Sequence, residues 1–105
     1  MNLRSASELR ALRANAGEAA DFLLLLANEK RLLVLCELMA TVEMSVNDLA
    51  HAVGLSQSAL SQHLAKLRAE GLVSTRREAQ SIYYRISKDQ RTRRILTLLR
   101  QLFRQ

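Results

Sequence analysis

Two of the chain's three glycines, Gly54 and Gly71, close off a stretch in which Leu60, Leu64 and Leu67 recur at the spacing of one helical face, with no proline to interrupt it. Ser56 stands ahead of that stretch as an N-cap whose hydroxyl can accept from a free backbone N–H. Gly71 stands behind it, able to take the left-handed conformation that ends a helix. A helix is therefore expected from Gln57 to about Glu70. Ahead of Gly54 the pattern repeats on a smaller scale. Val46, Leu49, Ala50 and Val53 fall at i, i+3, i+4, i+7, behind a Ser45–Asp48 capping box in which Asp replaces the usual Glu. Two helices joined through a tight Gly54–Leu55 turn read as a helix-turn-helix.

After Gly71 the period changes. Leu72–Glu78 and Ser81–Ile86 are rich in strand formers such as Val73, Thr75, Ile82 and Tyr84, and Ala79–Gln80 fit a short hairpin turn. Helical patterns flank this unit. The first covers about Ser5 to Ala27, with Leu9, Leu12, Ala16, Ala19 and Leu23 in register and a bend expected at Gly17. The second, capped by Asn28 with Glu29 in its first turn, runs to about Ala40. Leu32, Leu35, Cys36 and Met39 share a face, and Leu33, Val34 and Leu38 make it apolar nearly all round, so burial on most sides is expected. The last starts at Ser87, with Gln90 three residues on. It carries Ile95, Leu98, Leu99 and Leu102 on one face and Arg91, Arg93, Arg94, Arg100 and Arg104 elsewhere. A helix-turn-helix followed by a basic hairpin is a winged helix. The fold expected is mainly α: one winged helix-turn-helix domain over 1–105, with the helix-turn-helix at about 45–70, a two-stranded β-hairpin wing at about 72–86, and outer helices at about 5–27 and 88–104.

A chain of 105 residues suits one domain and leaves no room for a separate catalytic one. Sixteen Lys and Arg against ten Asp and Glu give a net charge of +6, which favours a polyanionic partner. One cysteine excludes an internal disulfide and fits a reducing cytoplasm. The apolar runs Phe22–Ala27 and Leu32–Cys36 are too short to span a bilayer. The N-terminal region carries Glu8, Glu18 and Asp21 and lacks the apolar core of a secretion signal.

The helix Gln57–Glu70 carries the most informative chemistry. Opposite its leucine stripe lie Ser58, Gln62, Ala65 and Ala69, with Ser61 at the edge. An ordinary surface helix would carry Glu and Lys there. Small, uncharged hydrogen-bonding groups suit a helix that enters a major groove about 12 Å wide, and Gln57, Ser58, Ser61 and Gln62 cluster in the first turns, where bases are read. Lys66 and Arg68 flank the helix as phosphate contacts. On the hairpin, Arg76, Arg77, Gln80, Ser81 and Arg85 suit phosphates or a minor groove; for Arg85 a plain charged-hairpin role stands equal. His63 reads as a partly buried packing residue or a phosphate donor rather than a metal ligand. His51 is a surface residue, with a phosphate contact or no role.

The run from Lys30 to Ile86 resembles the ArsR/SmtB family of bacterial repressors. The Ser-x-x-Ser-x-His-Leu-x-x-Leu pattern appears as Ser58, Ser61, His63, Leu64 and Leu67, and the Leu-Val-x-x-Arg-Arg-Glu-x-Gln-x-x-Tyr-Tyr pattern as Leu72 to Tyr84. The resemblance implies a homodimer joined through the first and last helices, binding a palindromic double-stranded DNA operator as a repressor or anti-repressor. Leu96, Leu99, Leu102 and Phe103, with Leu9 and Leu12, offer apolar surface for that contact. The resemblance also implies what is missing. The family's Cys-Val-Cys metal motif is replaced by Ser45-Val46-Asn47, and no His occurs from Asp89 to Gln105 to build the C-terminal zinc site. Redox-sensing relatives pair a second-helix cysteine with one near the C-terminus. Cys36 matches the first, Arg104 falls at the second, and Cys36 reads as a small core hydrophobe more readily than as a redox site. No cofactor, metal or small-molecule ligand is expected.

Three other readings compete. A winged helix can bind RNA or protein, but the groove-compatible face argues otherwise. A membrane-surface helix would gather its basic residues beside aromatic anchors, whereas aromatics are only 4% here and the arginines are dispersed. An enzyme would need a phosphate loop, a metal set or a nucleophile–base pair, and none is recognisable.

Overall fold

Short polar side chains mark the helix starts. In a computed structural model, which describes residues 5–104, Ser5 accepts from the Glu8 N–H at 3.1 Å, Asn28 from Arg31 at 3.0 Å, Ser45 from Asp48 at 3.2 Å and Ser56 from Ala59 at 3.1 Å. These caps open α1 (Ala6–Ala14), α3 (Glu29–Ala40), α4 (Val46–Val53) and α5 (Gln57–Ala69). Each satisfies a backbone donor that the first helical turn leaves free, a contribution of about 1 kcal/mol. Two helix boundaries differ from the expectation. The N-terminal pattern breaks at Asn15, between α1 and α2 (Ala16–Leu26), and Gly17 lies inside α2. Asn15 turns its amide back onto the Ala11 carbonyl at 3.0 Å, a local bond that competes with helix continuation. At the other end Asp89, not Ser87, caps α6 (Gln90–Leu102): its carboxylate accepts from the Arg91 N–H at 2.8 Å, while Ser87 accepts from the Asp89 N–H.

The wing strands are β2 (Val73–Glu78) and β3 (Ser81–Ile86), antiparallel in a register running from Val73 opposite Ile86 to Glu78 opposite Ser81. A third strand, absent from the sequence-based expectation, is β1 (Met44–Ser45), which pairs Met44 with Tyr84 and Ser45 with Tyr83. The sheet order β1-β3-β2 tacks the base of the wing to the start of α4. Two residues are too few for any periodic signal in the sequence.

Leu35, Leu38, Leu49, Leu60, Leu64, Leu67 and Leu72 form the heart of the core. Truncating one of them to Ala removes about 2–5 kcal/mol. The leucine stripe of α5 is inside, as expected. In α3 the buried stripe is Val34, Leu35 and Leu38, so the helix is not covered all round: Leu33 and Cys36 are exposed. Cys36 is therefore no core filler. In α6 the inner stripe is Thr92 and Leu96 with half-buried Ile95 and Leu99. Leu96 thus belongs to the core and does not join the exposed surface, while Leu98, Leu102 and Phe103 remain outside. α1 buries none of its residues. The radius of gyration of 15.6 Å exceeds the roughly 13 Å of a compact domain of this size, as an elongated subunit with an uncovered N-terminal helix requires.

Candidate nucleic-acid interface

α5 is held at both ends by the same device. At Gly54, with φ +70°, the Leu55 N–H donates to Ala50 and the Gly54 N–H to His51; at Gly71, with φ +79°, the Leu72 N–H donates to Leu67 and the Gly71 N–H to Arg68. Both are Schellman turns, each followed by a leucine turned toward the core. They fix the pitch of α5 before and after its buried leucines. Outward of those leucines, Gln57, Ser58, Ser61 and Gln62 are all exposed, with Ala65 and Ala69 further along and Lys66 and Arg68 on the flanks. The helix thus offers a short, uncharged, hydrogen-bonding face with cations beside it. Gln57 is not free within that face: its Nε2 donates to the Asn47 Oδ1 on α4.

Two cations missed by the sequence reading hold this unit from beneath. Lys30 Nζ donates to the Val53 carbonyl at 2.9 Å, at the C-terminal end of α4, where a positive charge is favoured. Arg31 Nε donates to the Leu25 carbonyl at 2.6 Å, and its Nη1 lies 3.4 Å from His63 Nδ1. Since guanidinium only donates, that His63 nitrogen accepts and its ring is neutral. Burial first, then the charges of Arg31 and Lys66, push the His63 pKa down. His63 therefore serves as a packing and joining group between α5 and the end of α2. His51 is exposed in the last turn of α4.

On the wing the arginines separate. Cross-strand partners share a face, so Arg76 and Arg85 lie with Tyr83, while Arg77 lies on the other face opposite Ile82. Arg76 makes a two-point ion pair with Glu43, a second contact to Glu78 at 3.2 Å, and stacks 4.8 Å from the Tyr83 ring centre. The Glu43 carboxyl is held below its ordinary pKa, first by the hydrogen bond from Arg76 and further by the charges of Arg76 and Arg85. The Arg76 guanidinium is thus engaged inside the subunit. Arg77, Gln80, Ser81 and Arg85 are exposed. Nothing local in the sequence points to Glu43, because its partner Arg76 is 33 residues away.

Residues 28–75 match the family described as bacterial regulatory protein, arsR family. The transcriptional activator HlyU of Vibrio cholerae is 44% identical over 95 residues, 90% of this chain and 86% of that one. The nodulation protein NolR of Rhizobium meliloti is 66% identical over 71 residues, 68% of this chain and 57% of that protein. The crystal structure of NolR from Sinorhizobium fredii superposes with a TM-score of 0.79 at 50% identity, covering 98% of this chain and 97% of that one. The chain belongs to the ArsR family. Members of the ArsR family are transcriptional regulators that bind DNA and are typically dimers, and the winged helix-turn-helix architecture is shared.

Cys36 is exposed and borders a hollow of about 420 Å³ lined by Met39, Ala40, Leu96, Thr97 and Arg100. Partial burial, and then the Glu37 carboxylate, raise its thiol pKa. Ser45 and Asn47, which replace the metal-motif cysteines, have structural partners in the Asp48 N–H and the Gln57 amide. Among the described residues no three His, Cys, Asp or Glu side chains converge as a metal set. No described helix is long and apolar enough to cross a membrane.

Proposed function

We propose that this chain is a non-enzymatic, cytoplasmic transcriptional regulator, one domain per subunit, which binds a palindromic DNA operator as a homodimer and acts as a repressor or anti-repressor. The observation that carries this reading is the exposure of Gln57, Ser58, Ser61 and Gln62 together at the start of a helix whose leucines are buried. In a major groove those side chains reach base edges, while Lys66, Arg68, Arg77, Gln80, Ser81 and Arg85 reach the backbone or the minor groove. His63 supports the helix from within. Two such helices related by a two-fold axis would meet half-sites about 34–36 Å apart. The metal-motif substitutions and the single thiol favour regulation without zinc, cadmium, arsenite or a two-cysteine switch.

Selection from a randomised duplex pool, followed by titration of the enriched sequence at several salt concentrations, tests the reading. The expected outcome is a palindrome bound by two subunits, with affinity falling steeply with salt. Equal binding of all duplexes, or preference for structured RNA, would overturn it.

A further inference from the structure

Asn47 and Gln57 sit on different helices, both exposed, and meet across the turn between α4 and α5. Neither packs in the core, so their hydrogen bond has no evident part in holding the fold. A lone exposed glutamine would rotate its amide freely and present either oxygen or nitrogen to a neighbouring group. Here one Nε2 hydrogen is directed at the Asn47 Oδ1, which fixes the orientation of the amide. The backbone that carries Asn47 is held in place: α4 is capped by Ser45 and anchored by buried Leu49, Ala50 and Val53. What remains available on Gln57 is Oε1 and the second Nε2 hydrogen, which lie side by side when Asn47 takes the hydrogen that points away from Oε1. An acceptor beside a donor is the pair that matches adenine N6–H and N7 in the major groove.

We infer that Asn47 is a specificity-determining positioning residue, which holds the Gln57 amide in the orientation that reads an adenine. The inference rests on the reading of Gln57 as a base contact. Asn47 touches no base in this arrangement. It lowers the ordering cost of the contact and disfavours the flipped amide, which would offer the wrong pattern and would require Asn47 to turn its own amide as well.

The test uses the full chain, the duplex enriched by the wild type, and the set of its single base-pair substitutions. The wild type is expected to prefer adenine at one position of each half-site, by on the order of tenfold. Asn47→Ala is expected to level that preference, leaving the other positions and thermal stability unchanged. Asn47→Asp, which keeps the acceptor but adds a negative charge, is expected to retain the base ranking while weakening all duplexes alike. In a Gln57→Ala background, Asn47→Ala should change nothing further. A wild type with no preference at any position sinks the base-reader assignment and the inference with it. Unchanged discrimination in Asn47→Ala, with the wild type selective, sinks the role of Asn47 alone.

Discussion

Arg76 on the wing reaches Glu43 ahead of the sheet with two hydrogen bonds, Nη2 at 2.5 Å and Nε at 3.1 Å. The pair locks the base of the wing to the segment that begins the helix-turn-helix. Arg77 projects from the opposite face and is exposed. The two neighbours should therefore behave differently. Arg77→Ala is expected to keep the melting temperature and to reduce the slope of log affinity against log salt by about one per subunit. Arg76→Ala is expected instead to lower the melting temperature, with a smaller change in that slope. The Glu43 carboxylate, with its pKa lowered, stabilises the fold above its ordinary pKa, and this contribution is lost as pH falls through the folded value. Glu43→Gln should accordingly reduce the acid sensitivity of melting. Calorimetry and salt-dependent anisotropy decide; identical behaviour of the two arginine variants would refute the division.

Ala79 at the wing tip has φ +55°, a left-handed value that costs a side chain with a Cβ. Ala79→Gly removes that strain, at some cost in the entropy of the unfolded chain. A net gain of about 0.5–1 kcal/mol is expected by chemical denaturation. A loss of stability would mean that the turn is held in another conformation.

The core of this molecule was legible because each of its signals is local. Leu60, Leu64 and Leu67 announce a helical face, and Ser56, Gly54 and Gly71 announce its limits, all within one stretch. The side chains that orient the site were not, because their partners are remote: Arg76 with Glu43, Arg31 with His63, Lys30 with the Val53 carbonyl, Asn47 with Gln57. Cys36 was misplaced for a related reason. An all-apolar helix pattern states how much surface is available for burial, and only the neighbours decide which stripe is used. Asn15 and Asp89 show the same competition on a smaller scale, since Gly17 and Ser87 offered equally plausible breaks and caps.

His63 accepts from Arg31 in its neutral form, and its folded pKa is lowered. The unfolded chain thus takes up a proton first as pH falls below about 6.5. Stability is fully present above that value and declines as pH falls toward the folded pKa. Melting temperatures from neutral to mildly acidic pH should fall more for the wild type than for His63→Gln, which can still accept from Arg31. Parallel curves would remove His63 from the account.

The raised pKa of Cys36 and its exposure make opposite demands on reactivity. Exposure permits attack without unfolding, while the raised pKa keeps the thiol protonated at neutral pH. Iodoacetamide should alkylate the native protein, slowly at pH 7 and with a rate still rising past the ordinary thiol pKa of 9.0. Glu37→Gln should speed it. Mass spectrometry follows the product, and labelling only after denaturation would return Cys36 to the interior.

The outer helices leave apolar surface that one subunit does not cover. Leu9 and Leu12 on α1 are exposed, and on α6 and its C-cap the exposure rises from 46% at Leu98 to 65% at Leu102 and 77% at Phe103. Burying a leucine side chain is worth about 1.5–3 kcal/mol, and a two-fold axis counts each substitution twice. Leu102→Glu should therefore dissociate the dimer at micromolar concentration and remove high-affinity operator binding, since one subunit reads only half a palindrome. Val42→Glu provides the control: Val42 is 82% exposed but lies between α3 and β1, away from these helices in the chain. It should leave both the mass in solution and the binding intact. Sedimentation equilibrium with and without operator makes the measurement. A Leu102→Glu protein that stays dimeric and binds as the wild type would place the subunit contact elsewhere, and a wild type monomeric at the same concentration would remove it.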